Sequence, residues 1–456
     1  MADAGGSHFF QYWFGFDGWV QWVGGWGISR GLFLTLLFFS LLSILSVFIE
    51  DLPSFVWGWL IGTMPLWLPV GLVFGAWQAW KSYIQNLWLS KQDAVLLEIK
   101  IPRDIMKSPR AMEMFITGLW IGSGEVTYIH RHWIGSTRPF FSFEYASFGG
   151  EVHMYIWTWR AYRTIVESNF YAQYPEVEIY EVEDYASQFN YDSNKYSSFC
   201  TDHAYAPRSD AYPLKTYVDY ELDKDPKEEL KVDPLSQIFE VLSSMKKGES
   251  IWLQIVLRAN LRDWRIKKGT WLQFENRWES LVKEEVEEIR IQSSSTFIDD
   301  KGSKRRGYPN PTWRQTEQMK TMERNLGKLP FEVGIRGIYI AEKGVFTSPA
   351  FNSLRWIWRP FNNPQYLNQL RPTRGHNIFD YPWQDWNRMR AHHITRNYID
   401  AYRRRSLLTR PYTAPTQTMT PEVIATIFHP PSGTTKAPGI TRIPAAKAEA
   451  PANIPK

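Results

Sequence analysis

The chain has a single cysteine, Cys200, among its 456 residues. One cysteine excludes a disulfide within the chain and a zinc site built from cysteine pairs. The mean hydropathy of the whole chain is −0.36, so long apolar segments can make up only a small part of it. A protein with many membrane spans is therefore excluded, and any membrane-spanning part must be local.

The sequence also lacks the common motifs of nucleotide and metal chemistry. It contains no G-x-x-x-x-G-K-[ST], no H-E-x-x-H and no C-x-x-C. His130 and His132 could place two imidazoles on one side of a strand, but no third ligand accompanies them. We expect no cofactor, no metal and no enzymatic activity. An unfamiliar catalytic site, with His130 or His153 near Glu144 or Glu151, is the third hypothesis for function.

Two uncharged segments near the N-terminus are each long enough to cross a membrane. They cover 31–49 and 52–80, and about 20 apolar residues span the hydrocarbon of a bilayer. Arg30 precedes the first segment and Lys81 follows the second, so the positive-inside bias places both termini in the cytoplasm. We predict a two-helix transmembrane hairpin in the cytoplasmic (inner) membrane.

From Val95 onwards the sequence has the pattern of an α+β domain. Apolar periodicity and turn signals predict elements in the order β-α-β-β-α-β, in the segments VLLEIKIP, PRAMEMFITGLWI, RPFFSFEYASF, EVHMYIWTW, AYRTIVESNFYAQYP and EVEIYEVEDY. This order is that of the split βαβ, ferredoxin-like plan. The polar segment 187–210 is predicted to be a loop.

The same order of elements is predicted a second time after that loop. Strands are expected from Tyr212, in ESIWLQIVLRA and from Phe331, with helices after Asp233 and from Ser348. A charged segment with two helices interrupts this second unit. The predicted organisation is an aromatic interfacial segment (1–30), two transmembrane helices (31–90), a first ferredoxin-like unit (91–190), a second ferredoxin-like unit with a helical insertion (191–375), a basic helical segment (376–410) and a Pro-rich connector tail (411–456). Within the tail, TPEVIATIF is expected to form a short helix of one or two turns, and the last stretch, from Pro438 to Lys456, is expected to be extended.

Positive charge is concentrated in one part of the chain, although the net charge is only +5. Between Ser303 and Arg410 there are 20 Lys and Arg residues against seven Asp and Glu. Such a segment suits DNA phosphates, anionic lipids or an acidic protein, and a solvated surface is a further alternative. The residues singled out for nucleic-acid or anionic-lipid contact are Lys304, Arg305, Arg306, Arg388, Arg390, Arg403, Arg404 and Arg405.

Several segments resemble one known family. LLEIKIP, KSPRAMEMF, FSFEYASFGGEVHMYIWT, YAQYPEVEI and the connector MTPEVIATIFHPPS with RIPAAKAEAPANIP are similar to a module of conjugation and type IV secretion-type DNA-translocating ATPases of reduced-genome bacteria. In those proteins the module lies between the membrane spans and the P-loop motor. The resemblance covers about Val95 to the C-terminus. It implies the membrane-anchored N-terminal module alone, with the motor on a separate chain or removed by truncation.

The leading hypothesis is a non-enzymatic, membrane-anchored scaffold that docks a separate P-loop translocase ATPase in a conjugation or type IV secretion-like DNA-transfer machine. Docking is expected through Ile424, Ile427 and Phe428, as a helix in a groove or as an added strand. Exposed sheet edges favour a homo-oligomer. The alternative function is a membrane-tethered nucleic-acid-binding module that uses the region between Ser303 and Arg410.

Overall fold

The computed structural model describes residues 35–41, 43–44, 51–102, 107–125, 127–224, 233–261, 264–266, 274–298, 304–375, 383–431, 439 and 442–443. Residues 35–41 and 43–44 are helical. Most of the first predicted transmembrane helix, its connection to the second, and the aromatic segment 1–30 lie outside the described residues. The same holds for most of the chain after 431.

A long apolar helix, α1 (Leu52–Ser90), leads into the folded part of the chain. Within the described residues it is the one helix long and apolar enough to cross a membrane, over Ser54–Ser90, and the most apolar part of that stretch is not buried by the rest of the protein. The second span is predicted to end at Lys81. The helix instead continues to Ser90, because Ile84 is buried and Trp88 packs against the folded unit.

The first half of the folded unit follows the predicted order of elements. Its elements are β1 (Ala94–Pro102), α2 (Pro109–Gly118), β2 (Phe140–Phe148), β3 (Glu151–Trp159), α3 (Arg163–Gln173) and β4 (Glu178–Val182). β1 is antiparallel to both β3 and β4, and β2 is antiparallel to β3. The strand order of this half is therefore β4-β1-β3-β2.

The second half contains an insertion between its second and third strands. The remaining elements are α4 (Tyr185–Gln188), β5 (Tyr196–Tyr205), α5 (Leu235–Ser243), β6 (Glu249–Ala259), β7 (Trp264–Ile266), β8 (Phe274–Asn276), α6 (Arg277–Gln292), β9 (Ser294–Ile298), β10 (Lys304–Pro309), α7 (Trp313–Leu326), β11 (Phe331–Glu342), α8 (Ser348–Arg355), β12 (Leu370–Gly375), α9 (Met389–Arg403), β13 (Gln417–Met419), α10 (Pro421–Ile427) and β14 (Arg442–Ile443). The insertion runs from β7 to α7 and includes two small hairpins besides its two helices.

The first strand of the second half is not where the sequence predicts it. The segment 187–210, predicted to be a loop, contains β5, whereas 212–222, predicted to contain a strand, has irregular backbone followed by turns. β5 lies between β11 and β12, and β6 pairs with the other side of β11. The polar composition of β5 conceals an interior strand because its charge is paired internally, with Asp202 2.9 Å from Arg336 and both side chains buried.

The two halves share one large antiparallel sheet, because β2 pairs antiparallel with β6. On one face, α2, α3, α5, α8 and α10 enclose an apolar core that includes Phe115 and Phe239. On the other face, α9 contributes Ile399 and Tyr402 to a second cluster. The insertion helices α6 and α7 pack around a core of their own, which contains Trp278. The described chain is thus an α+β unit built on one sheet, with α1 projecting from it.

The tail is not extended in the part that the structure describes. β13 pairs with β11, α10 packs on α2, and β14 lies parallel to the end of β1. Every residue in 417–431 is buried. The short helix predicted at TPEVIATIF is confirmed as α10, but the prediction of a tail that extends from the folded unit is wrong for this stretch. Its nearly continuous apolar sequence gains more from burial in the core than a Pro-rich linker would gain from solvation.

Candidate functional site

The C-terminal end of α1 is fixed to the folded unit at several points. The Arg410 guanidinium donates to the side-chain oxygen of Gln78 at 2.7 Å and to its main-chain carbonyl at 3.2 Å. Further along the helix, the rings of Trp88 and Trp159 meet edge to face, with centroids 5.2 Å apart. Because β3 ends at Trp159, the helix is attached directly to the end of the central sheet.

A short π-helical segment, His130–Ile134, presses against the same helix. The Trp80 indole N–H donates to the carbonyl of His132 at 3.0 Å. Gly135 follows the segment with φ of +76°, a left-handed conformation that favours glycine. A Cβ atom at Gly135 would lie 2.4 Å from the carbonyl oxygen of Ile84. The close approach of this segment to α1 therefore requires glycine at this position.

The three residues predicted to dock a partner ATPase lie in the core of this chain. Ile424, Ile427 and Phe428 are fully buried. The Phe428 ring stacks on Phe143 with centroids 4.6 Å apart and lies 4.8 Å from the Tyr145 ring. The predicted docking role of these side chains is therefore wrong for this fold. Their helix does occupy a groove, but the groove belongs to the same chain.

A buried carboxylate ties α10 to the insertion. Glu422 is fully buried, and its oxygens lie 2.6 Å from Lys328 Nζ, 2.8 Å from Arg324 Nη2 and 2.6 Å from the Thr216 hydroxyl. Burial alone would raise the pKa of Glu422, but hydrogen bonds from Lys328 and Thr216, together with the nearby positive charges, lower it. The tail is thus held by apolar burial and by a charged contact that needs an ionised carboxylate.

Arg405 is another predicted contact residue that the structure places inside the protein. Its side chain is 1% exposed, and its Nε lies 3.0 Å from an oxygen of Glu144. It also forms an ion pair with Asp184. Burial alone would lower the pKa of Arg405, but the charges of Glu144 and Asp184 raise it well above its ordinary value. The prediction of a nucleic-acid or lipid contact is wrong for Arg405, because its charge is satisfied within the chain.

The neighbours of Arg405 at the end of α9 lie nearer the surface. Arg403 donates to the carbonyl of Ser187 at 3.0 Å. Arg404 is exposed and pairs with Asp400 one helical turn earlier at 2.9 Å, a type of surface pair that contributes little to stability. Both side chains keep some access to solvent, unlike the buried guanidinium next to them in the sequence.

The other predicted contact residues lie on separate elements. Arg388 and Arg390 are exposed where the chain enters α9, and Arg390 donates to the carbonyl of Gln384 at 3.0 Å. The backbone of 304–306, which carries Lys304, Arg305 and Arg306, belongs to β10 and pairs with β9. The eight predicted residues are therefore divided among β10, the start of α9 and the end of α9.

The arrangement of ionisable groups considered for catalysis differs from the one predicted. The His153 ring lies 2.7 Å from the carboxylate of Glu98, and this hydrogen bond is the main reason that the pKa of Glu98 is lowered. Glu144 faces Arg405 instead. A cavity of about 60 Å³ adjoins Glu98 and His153, much less than a typical small-molecule site holds. Among the described residues no three His, Cys, Asp or Glu side chains are grouped to hold a metal ion.

Sequence reasoning missed the residues that join the parts of this protein. The signal for Glu422 was present, since a lone acidic residue in the apolar run TPEVIATIF needs a buried partner if the run is in the core. Gln78 and Arg410 gave no such signal, because their contact joins positions 332 residues apart.

The chain matches no protein-family model, no curated protein and no solved structure.

Proposed function

We propose that this chain is a non-enzymatic scaffold that α1 anchors in the cytoplasmic membrane, and that its folded unit docks a separate DNA-translocating ATPase of a conjugation or type IV secretion-like machine. The observation that carries the anchoring is the exposure of the apolar helix. Phe55, Leu66 and Val70 are 70%, 75% and 69% exposed. A helix that is apolar on all sides needs a bilayer or a protein around it, and the folded unit covers only its C-terminal end.

We infer two finer features of this architecture. Each half of the sheet has the strand order fourth-first-third-second, which supports a tandem of ferredoxin-like units. Helical residues at 35–41 and 43–44 support a first membrane helix that forms a hairpin with α1. With both termini in the cytoplasm, the short acidic connection at Glu50 and Asp51 would lie outside.

The direction of the strands favours a partner at the end of the sheet away from the membrane. β1 begins four residues after α1 ends, and it runs away from the helix. β14 lies parallel to it, with Ile101 opposite Arg442. The two residues of β14, which belong to the connector that resembles the link to a P-loop motor, therefore run away from the bilayer, towards the side where an ATPase would have room to bind. The sheet edges at β4 and β12 are the expected contacts of a homo-oligomer.

Purification of the tagged full chain from its native membranes in mild detergent tests this proposal, with mass spectrometry of the proteins that accompany it. A P-loop ATPase in near-stoichiometric amount is expected with this chain and not with an unrelated membrane protein that carries the same tag. Recovery of the chain alone, or only with itself, would contradict ATPase docking.

The nucleic-acid-binding alternative predicts instead that the purified chain binds DNA with an affinity that falls steeply as salt rises. The structure weakens this alternative, because Arg324, Lys328, Arg336, Arg405 and Arg410 use their charges or hydrogen bonds within the chain.

A further inference from the structure

The length of α1 determines which of its residues lie at the membrane surface. Lys81 follows Asp51 by 30 residues, which corresponds to about 45 Å of helix. A bilayer with its headgroup regions is about 40–45 Å thick. If the uncharged stretch between these two residues crosses the membrane, Asp51 lies in one headgroup region and Lys81 in the other.

The segment 127–135 of the folded unit contacts α1 at this same level. Trp80, the residue before Lys81, donates to the carbonyl of His132. Ile84, about one helical turn after Trp80, lies against Gly135. Trp133 extends the contact, since its ring centroid lies 5.9 Å from that of Trp80. This part of the folded unit therefore lies where the cytoplasmic headgroups would be.

The outward surface of the segment is apolar and aromatic. Tyr128, Ile129, Trp133 and Ile134 are 58%, 60%, 58% and 49% exposed. Four large apolar side chains within seven residues form a concentration that soluble surfaces seldom leave uncovered. Tyr and Trp are the residues enriched at the level of lipid headgroups, and the exposed Arg131 among them suits anionic phosphates.

We propose that Tyr128, Ile129, Trp133 and Ile134 form a membrane-interface collar that inserts into the headgroup region of the cytoplasmic leaflet beside α1. The proposal rests on the proposed anchoring by α1, and continuity with that helix makes lipid the occupant of this surface. The collar would prevent the folded unit from swinging freely below its anchor. It would hold the sheet at a fixed tilt to the membrane.

Site-specific fluorophores in a defined bilayer test the collar. Cys200 is buried and is the chain's only cysteine, so a Cys200→Ala background gives a full-length chain for single labels. An environment-sensitive dye is attached at Ile134→Cys in the collar, at Leu66→Cys in the middle of the proposed span, or at Phe346→Cys. Phe346 is an exposed apolar control just after β11, at the end of the sheet away from α1. The vesicles contain phosphatidylcholine and phosphatidylglycerol whose acyl chains carry bromine either near the headgroup or deep in the bilayer.

The collar predicts that headgroup-proximal bromine quenches the Ile134→Cys dye strongly, that deep bromine quenches the Leu66→Cys dye, and that neither quenches the Phe346→Cys dye. Quenching at Leu66→Cys without quenching at Ile134→Cys overturns the collar while the anchoring stands. No quenching at either position overturns the anchoring and the collar together.

Discussion

The guanidinium of Arg405 and the carboxylate of Glu144 form an ion pair inside the protein, with Nε and Oε1 3.0 Å apart and both side chains essentially without solvent exposure. Glu144 lies on β2, at the centre of the sheet, and also accepts a hydrogen bond from the Tyr185 hydroxyl at 2.8 Å. Arg405 follows α9 and adopts a φ of +50°, a left-handed conformation that costs free energy for a residue other than glycine. The ion pair thus helps to hold α9 on the sheet.

Removal of this guanidinium should destabilise the protein strongly. Arg405→Met leaves Glu144 charged and buried, a change that typically costs about 3–5 kcal/mol. Arg404→Met, at the exposed neighbour, is the matched control and should leave stability unchanged. Thermal unfolding of the detergent-solubilised chain measures both variants. Equal stability of the two would show that Arg405 is not buried as described.

Phe428 should behave as a core residue rather than as a docking residue. Phe428→Ala removes a ring packed on Phe143 and Tyr145 and should reduce the free energy of unfolding by about 3–5 kcal/mol. Phe346→Ala, at an exposed ring, should cost much less. Denaturant unfolding compares the two variants. Normal stability of Phe428→Ala combined with loss of a partner would restore the docking role that the sequence predicted.

The sequence predicted the first half of the sheet closely and the second half less well. The segment beginning at Val95 alternates clearly, and β1 begins one residue earlier, at Ala94. The segment around Asp202 resembled a loop because its polar residues find partners only in distant strands, and no local pattern records those partners. The run that contains Ile424 was correctly predicted to be a short helix. Its position in the core depends on tertiary contacts that the sequence pattern does not show.

The charged contact of Glu422 should make the seating of the tail depend on pH. Its pKa is lowered from the ordinary value of 4.5, so the unfolded chain takes up this proton at a higher pH than the folded chain does. The carboxylate therefore contributes stability above pH 4.5, and this contribution is lost as pH falls through the lower pKa of the folded state.

Glu422→Gln should therefore lower the Tm at pH 7, and the difference from the unsubstituted chain should shrink as the pH approaches 3. Glu323→Gln, at a half-exposed pair with Arg290, is the control and should show little difference at either pH. Melting curves recorded between pH 7 and pH 3 measure the Tm difference for each variant. A Glu422→Gln difference that stays constant with pH would contradict an ionised carboxylate in the core.

Gly135 should be the most sensitive position in the junction between α1 and the folded unit. Gly135→Ala combines a positive φ with a clash against the backbone of Ile84. Gly344→Ala also has a positive φ, +95°, but nothing lies within 4 Å of the added Cβ, so it measures the conformational cost alone, about 1 kcal/mol. Hydrogen exchange should show faster exchange in 77–90 and 127–138 for Gly135→Ala only. Matching exchange in the two variants would contradict the close contact.

The central claim is that α1 crosses the bilayer, and alkaline extraction of native membranes tests it most directly. The full chain should remain in the membrane pellet at high pH. Leu66→Asp combined with Val70→Asp should increase the fraction released, because charged side chains in the middle of a span are costly, while the first membrane helix that we infer would still retain part of the chain. The matched control, Leu329→Asp with Trp356→Asp at exposed positions of the folded unit, should stay in the pellet. Release of the unsubstituted chain into the soluble fraction would contradict the account.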